Sequence, residues 1–384
     1  MLTGNSLGNL LKKTHHRTTG VVGINFVIDE LNRAGTESQL LALINGLDRR
    51  KFLPTLTILR DTVSPLEQEL AADVPTIHLG VQHLIGLRSL PAASRLLSFW
   101  RQHKVQILQT YFLDSCYFSV PLAKLAGIRH IIRVRNNTGY WLTPRQQWLG
   151  KGLEKLCRLT LTNSPQAREQ LIERENVPAW KVRVIANGVD MERFSGLPVP
   201  KFGPTVHVGM VANLRDVKNV ESFIRVAAKL CSTRRSVKFS VAGEGPLRPH
   251  LEAEIARLNL GGSFQLLGKC EDIPHYLGGL DVAVLCSTSE SMSNAVLEYM
   301  AAARGIVVTD VGNNSQLIRH NVDGHVIPAN VDGALQKSLE TLIDNPETTR
   351  KMGRNARTRV EEQYARKVML REFEELYAGL AENW

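Results

Sequence analysis

Short apolar runs rich in β-branched residues alternate with amphipathic helical stretches along nearly the whole chain. In the first half these runs include 21–28, 105–109 and 131–134, and a second series starts at Val206. This alternation is typical of parallel sheets with helices on both faces. We therefore expect an α/β protein of two doubly wound, Rossmann-like domains facing a cleft, where the carboxyl ends of the strands would hold ligands.

The same pattern predicts where the domains begin and end. The segment SGLPVPKFGP contains three prolines and two glycines without periodicity, which indicates a linker. A chain of 384 residues has room for two hydrophobic cores. The predicted segments are a basic N-terminal tail at 1–20, a first domain at 21–194, the linker at 195–204, a second domain at 205–364, and a C-terminal helix at 365–384 that returns to the first domain.

Composition narrows the class of protein. Hydrophobic residues make up 43% and charged residues 22%, which is ordinary for a globular chain. The five cysteines have no C-x-x-C spacing, so we expect neither a disulfide framework nor a zinc site. Neither a continuous signal-peptide core nor a run of about 20 apolar residues is present. We expect a cytoplasmic protein, soluble or peripheral at the inner face of the membrane.

The net charge of +10 lies in one segment. Residues 81–160 carry 12 basic side chains against Asp114 and Glu154 alone, whereas the rest of the chain is balanced. Within that segment, 90–104 and 141–158 mix Trp and Leu with Lys and Arg. Such a segment suits an anionic membrane surface, a phosphate-bearing substrate or nucleic acid, or is only a solvated face.

The sharpest local motif is SESMSNAVLEYM at 289–300, which follows a predicted strand. It sets two carboxylates, Glu290 and Glu298, eight positions apart, so that one lies in the entry turn and the other inside the helix. Both could accept hydrogen bonds from the hydroxyls of one polyol. The helix would begin with the N–H groups of Asn294, Ala295 and Val296, where a diphosphate could bind. The alternative is a capping residue and a surface charge.

Three further loops carry candidate ligand-binding groups. Arg215 and Lys218 follow the first strand of the second domain and could neutralise a phosphate leaving group. Gly243 and Gly245 form a tight turn after the next strand, where glycine permits close approach of a ligand. Gly35 opens a helix after the first strand of the chain and could let an acceptor or phosphate approach the backbone.

Together, and in this order, these elements resemble the retaining glycosyltransferases of family 4, which have the GT-B fold. The resemblance covers nearly the whole chain and includes the segments AGTESQLLALINGL, LTNSPQAREQL, VIANGVDMERF, VANLRDVKN, VAGEGPLRPHLE, the E-x7-E segment and DGHVIPAN. It implies transfer of a sugar from a UDP- or GDP-sugar to a glycan or lipid-linked acceptor, as in the synthesis of cell-surface polysaccharide or glycolipid.

The resemblance also implies residue roles. Lys218 and Arg215 would bind the departing diphosphate, Glu290 the sugar hydroxyls and Glu298 the ribose hydroxyls. Asn213 stands where many family members have the phosphate-binding Arg, so Arg215 is a candidate substitute. The donor side would further include Asn294, Ala295, Val296, Gly243 and Gly245. On the acceptor side we expect Gly35 and Thr36, with Arg135 or Asn136 in the place of a family His.

We expect neither a metal nor a cofactor, only the nucleotide-sugar co-substrate. The leading alternative is another GT-B activity, such as a nucleotide-sugar epimerase or a phosphorylase. A basic nucleic-acid-binding protein is a more distant alternative, and we expect no nucleic acid partner.

Overall fold

The computed structural model describes residues 20–32, 35–62, 64–136, 143–234 and 236–382. They form two parallel sheets, of seven and six strands, with helices packed against them. The predicted architecture of two doubly wound domains is confirmed. Of the predicted tail at 1–20, residues 1–19 lie outside the described residues.

The first domain is built on a seven-stranded sheet with the order β3-β2-β1-β4-β5-β6-β7. Its strands are β1 Val22–Ile28, β2 Phe52–Ile58, β3 Thr76–His78, β4 Val105–Tyr111, β5 His130–Val134, β6 Leu159–Thr162 and β7 Val182–Val184. Its helices are α1 Gly35–Gly46, α2 Leu90–Gln102, α3 Leu113–Leu125, α4 Pro144–Leu156 and α5 Pro165–Glu175. The strand order reverses between β1 and β4, so a crevice opens at their carboxyl ends.

The second domain repeats this plan with the order β10-β9-β8-β11-β12-β13. Its strands are β8 Val206–Val211, β9 Val237–Ala242, β10 Phe264–Gly268, β11 Val282–Leu285, β12 Gly305–Thr309 and β13 His325–Ile327. Its helices are α6 Val220–Thr233, α7 Arg248–Arg257, α8 Ile273–Gly278, α9 Asn294–Ala301, α10 Asn314–Leu317, α11 Asp332–Asp344 and α12 Pro346–Gln363. Here the order reverses between β8 and β11.

Alternation along the strands divides the first domain into two apolar layers. In β1, Ile24 and Phe26 pack with α1 on one face, whereas Val27 points to the other face and its layer of α2, α3 and α4. In α2, Leu96 and Trp100 are buried in that second layer. The apolar stripe of this helix therefore covers the sheet and is not left for a partner.

The last helix, α13 (Arg366–Glu382), packs in the core of the first domain. Its Tyr377 is fully buried and donates a 2.8 Å hydrogen bond to Oε1 of Gln109 on β4. The chain crosses between the domains where Val189 pairs with Ala365. Among the described residues, none of the helices is long and apolar enough to span a bilayer.

Candidate functional site

The site lies where the strand order of the second sheet reverses. A short 3-10 turn, Asp216–Lys218, follows β8, and the loop that carries Glu290 follows β11. Because β8 and β11 are neighbours, their carboxyl ends bring the two loops together. Lys218 Nζ lies 2.5 Å from Glu290 Oε1, and both side chains are largely buried. Two residues that the sequence analysis singled out separately thus form one ion pair.

The Glu290 carboxylate has further support on its own side of the cleft. Ser287 Oγ donates a 2.7 Å hydrogen bond to the same oxygen, Oε1. Beneath the loop lies Gly312, whose backbone is left-handed with φ of +58°. A Cβ atom there would lie 2.3 Å from the Glu290 carbonyl oxygen. Backbone packing therefore requires a glycine at position 312.

Arg215 lies at the edge of the second domain and faces a carboxylate of the first. It is exposed and precedes the 3-10 turn. Its guanidinium interacts electrostatically with Glu37 in the first turn of α1. The Glu37 side chain is nearly fully buried. Burial and, to a smaller extent, Glu30 raise the pKa of Glu37, Arg215 opposes the rise, and the net value is about 7. Glu37 belongs to the quoted AGTE segment, but its burial could not be foreseen.

The N-terminus of α9 lies beside the Glu290 loop. Ser293 caps this helix and accepts a hydrogen bond from the Val296 N–H. The N–H groups of Asn294 and Ala295 have no acceptor among the described residues. Of the three N–H groups predicted to bind a diphosphate, those of Asn294 and Ala295 are therefore free, and that of Val296 binds the capping serine.

Glu298 lies in the second turn of α9 and is partly buried. Burial raises the pKa of its carboxyl to about 7, while the Arg193 guanidinium opposes that shift. No described residue donates a hydrogen bond to this carboxylate. A carboxylate that is partly desolvated and lacks a fixed donor is suited to accept hydrogen bonds from ligand hydroxyls.

Gly243 and Gly245 contact the loop that contains Asn213. A Cβ at Gly243 would lie 1.9 Å from the Ala212 carbonyl oxygen, and one at Gly245 would lie 2.5 Å from that of Leu214. Both glycines therefore allow two backbone loops to approach each other, a packing role that the sequence analysis did not foresee. Asn213 itself is exposed.

On the first-domain side, Thr36 and Asn136 line one cleft at the carboxyl ends of β4 to β7. Gly35 precedes Thr36 and contacts Asn294 of the second domain. Arg135 makes two hydrogen bonds to the Glu175 carboxylate, at 2.9 and 2.6 Å. Of the two candidates for the place of the family His, Asn136 thus lines the cleft and Arg135 is held in an ion pair.

Three polar side chains of the first domain that were assigned no role also reach this region. Asn163 follows β6, Asn187 follows β7, and Gln39 lies on α1; all three line the same cleft. Asn163 and Asn187 belong to the segments LTNSPQAREQL and VIANGVDMERF. The sequence analysis noted both motifs but could not tell what these two side chains contact.

Two family models match the chain one after the other. Glycosyltransferase Family 4 matches residues 33–193, and Glycosyl transferases group 1 matches residues 200–359. The chain is 24% identical over 362 residues to UDP-Gal:alpha-D-GlcNAc-diphosphoundecaprenol alpha-1,3-galactosyltransferase of Escherichia coli, covering 84% of this chain and 90% of that protein. It is 28% identical over 227 residues to Alpha-D-kanosaminyltransferase of Streptomyces kanamyceticus, covering 56% of this chain and 58% of that protein.

The fold is similar to that of solved glycosyltransferase structures. Anabaena Alr3699/HepE in complex with UDP superposes with a TM-score of 0.82 at 18% identity, covering 93% of this chain and 100% of that one. A complex of the same protein with UDP-glucose gives a TM-score of 0.80. At this identity the similarity concerns the fold.

Proposed function

The chain belongs to the family 4 glycosyltransferases, and on this premise we propose that it transfers a sugar, with retention of the anomeric configuration, from a UDP- or GDP-sugar to a glycan or lipid-linked acceptor. The observation that carries the proposal is the Lys218–Glu290 ion pair at the cleft edge of the second sheet. A fixed cation and a hydroxyl-binding carboxylate, side by side at the start of a helix, suit a sugar diphosphate.

In the proposed reaction, the bond between the anomeric carbon and the diphosphate breaks while the acceptor oxygen bonds to that carbon. The proton of the acceptor hydroxyl passes to the departing phosphate. Lys218 and Arg215 would stabilise the charge that develops on the diphosphate. We do not assign Glu290 as a nucleophile, because Lys218 and Ser287 already bind its Oε1 and its proposed role is to hold the sugar hydroxyls. We therefore favour attack by the acceptor on the face that the diphosphate leaves, which retains the configuration, without a metal or cofactor.

The first experiment is a thermal-shift screen of the full chain against UDP, GDP and their common sugars. A ligand that binds only the folded state raises the melting temperature. A nucleotide sugar that does so is then tested for transfer to glycan and lipid-linked acceptors, with the product anomer read by NMR and EDTA added to a parallel reaction. Donor turnover without any acceptor would instead favour an epimerase. If no nucleotide raised the melting temperature, the proposal would be wrong.

Variants test the site itself. Glu290→Gln and Lys218→Ala should each lower transfer by about 100-fold or more, the loss seen when one preorganised transition-state contact is removed. Lys229→Ala is the matched control, because Lys229 is exposed on α6 of the same domain. It should leave turnover unchanged. Near-normal transfer by both site variants would contradict the assignment.

We propose in addition that the first domain docks on an anionic membrane surface. Support comes from α2, α3 and α4, which cover the same face of the first sheet and span most of the basic segment 81–160. Arg133 and Arg135 are buried and ion-paired, so they do not contribute to a surface charge. Among the basic side chains of the segment whose burial the structure describes, nine are exposed: Arg88, Arg95, Arg101, Lys104, Lys124, Arg129, Lys151, Lys155 and Arg158.

Apolar side chains stand among these charges. Ile85 and Leu87 are 86% and 84% exposed, and Trp148 on α4 is 73% exposed. Exposed apolar side chains among cations are typical of surfaces that bind the lipid interface. We expect the protein to sediment with vesicles containing phosphatidylglycerol at low salt, and less so at high salt.

The Ile85→Ser/Leu87→Ser double variant should weaken vesicle binding. Leu267→Ser is the control, because Leu267 is 48% exposed on β10 of the second domain. It should bind vesicles like the wild type. Failure of the wild-type protein to bind anionic vesicles at low salt would overturn membrane docking without affecting the transferase proposal.

A further inference from the structure

A chain of hydrogen bonds crosses between the domains at the loop that carries Glu290. Ser291, the next residue, donates a 2.6 Å hydrogen bond from Oγ to Oδ1 of Asn163 in the first domain. Ser164 Oγ lies 3.1 Å from Ser291 Oγ and accepts a hydrogen bond from the Ala167 N–H. Because Ser291 donates to Asn163, the Ser164 hydroxyl must donate to Ser291. The two serine hydroxyls in this series of hydrogen bonds thus have one compatible orientation each.

A second branch starts at the same amide. Asn163 Nδ2 donates to Asn187 Oδ1 at 3.3 Å, and Asn187 Nδ2 donates to Asn294 Oδ1 at 2.8 Å. Gln39 Nε2 donates to the same Asn294 oxygen at 3.2 Å, and Asn294 Nδ2 donates to the Gly35 carbonyl at 3.2 Å. Asn294 therefore binds the first domain with its side chain, in addition to opening α9.

The two branches hold both ends of the loop between Glu290 and α9. In between, the Asn187 N–H donates to Met292 Sδ at 3.2 Å. Two of the first-domain partners, Asn163 and Asn187, are nearly fully buried in this arrangement of the domains. A buried amide without a partner is costly, so the contacts are complete only when the two domains meet. The orientation of the Glu290 loop thus depends on the first domain.

The same side chains line the first-domain cleft. Gln39, Asn163 and Asn187 are part of its wall, together with Thr36 and Asn136. An acceptor in that cleft would lie against the amides that hold the Glu290 loop. Resting on the proposed function, we infer that Asn163 and Ser291 are positioning residues that couple the acceptor cleft to Glu290, so that the donor carboxylate is aligned for transfer only when the domains are closed.

The test compares Asn163→Ala, Ser291→Ala and the double variant with the wild-type chain. Each single variant should lower kcat for transfer by about 10- to 100-fold, the range expected when a buried hydrogen bond is lost and its partner is left unsatisfied. The Kd for UDP or GDP and the KM for the donor should change by less than about threefold, since nucleotide binding does not need the first-domain amide. The double variant should lose less than the product of the two single losses, because both changes remove the shared Ser291–Asn163 bond.

Two further variants separate positioning from general damage. Ser291→Thr keeps the hydroxyl and should recover most of kcat. Ser232→Ala removes an exposed hydroxyl that bonds only within α6, to the Lys229 carbonyl, and should behave as wild type. Unchanged kcat in both alanine variants would overturn the inference. A loss shared equally by kcat and nucleotide affinity would also overturn it, because it would indicate a disturbed fold.

A structural readout keeps this test separate from the proposed function. By small-angle scattering, Asn163→Ala and Ser291→Ala should increase the radius of gyration relative to the wild-type protein, since bonds between the domains are lost. Equal radii would overturn the inference even if the wild type transfers sugar. A wild-type protein that closes normally yet transfers no sugar would contradict the proposed function instead.

Discussion

Replacing Glu298 by Gln should stabilise the ligand-free protein and at the same time weaken nucleotide binding. In the folded protein, burial raises the pKa of this carboxyl to about 7 from its ordinary value of 4.5. The folded state therefore holds the proton to a higher pH than the unfolded chain does. The resulting penalty on stability is absent below about pH 4.5 and grows until the pH passes about 7.

The size of the penalty follows from the shift. Each pKa unit corresponds to 1.36 kcal/mol, so a shift from 4.5 to about 7 costs about 3 kcal/mol at pH 8. This figure is an upper bound, because the side chain keeps partial contact with solvent. Gln is neutral at every pH and avoids the penalty. For a domain of this size, that bound of about 3 kcal/mol corresponds to a rise of at most roughly 6–12 °C in melting temperature.

The assay is thermal unfolding of the wild type and Glu298→Gln at pH 5 and pH 8, each with and without saturating UDP or GDP. We expect a higher melting temperature for the ligand-free variant at pH 8 and a much smaller difference at pH 5. The rise that the nucleotide produces should shrink, because an amide oxygen forms weaker hydrogen bonds to ribose hydroxyls than a carboxylate does.

Glu37→Gln is the matched control. Burial raises the pKa of Glu37 to about 7 as well, but this residue lies on α1 of the first domain. It should give a similar stability gain at pH 8 and keep the full nucleotide response. If Glu298→Gln were no more stable than wild type at pH 8, the desolvation argument would be wrong. An undiminished nucleotide response would refute the ribose-binding role.

Two further substitutions test the packing around the site. Gly312→Ala should destabilise the protein by about 1–2 kcal/mol for the left-handed backbone and should lower transfer more than tenfold by displacing Glu290. Gly333→Ala on helix α11 is its control, because a Cβ atom at this position would have no other atom within 4 Å. In urea unfolding this variant should be as stable as the wild type or slightly more stable. Tyr377→Phe should leave buried Gln109 Oε1 without its donor and cost about 1–3 kcal/mol, measured by urea unfolding; an unchanged midpoint would argue against docking of α13 through this bond.

The sequence was sufficient for the fold, because the fold depends on local signals. Apolar strands alternate with helices in a period that neighbouring residues reveal. Lys218 and Glu290 each follow a strand of the second domain, and the carboxyl ends of adjacent parallel strands lie together. The sequence placed each residue after a strand, and the strand order of the structure shows that the two residues meet.

Other assignments depended on partners that are far away in the chain. Asn294 was assigned to the donor as part of a helix start, but its amide binds Gln39 and Gly35 of the first domain. Gly243 permits close approach as expected, yet the approaching group is the carbonyl of Ala212. Arg135 could bind an acceptor by its charge, and the structure pairs it with Glu175 on α5.

The sequence alone thus determined the elements, their order and the chemistry of each loop. Only the tertiary structure decided which loops share a hydrogen bond, and in particular that Asn163 and Ser291, 128 positions apart, hold the Glu290 loop from across the cleft. The physical reason is that periodicity and loop chemistry are properties of neighbouring residues. A contact between domains depends instead on how two separately formed surfaces fit, and no stretch of sequence records that fit.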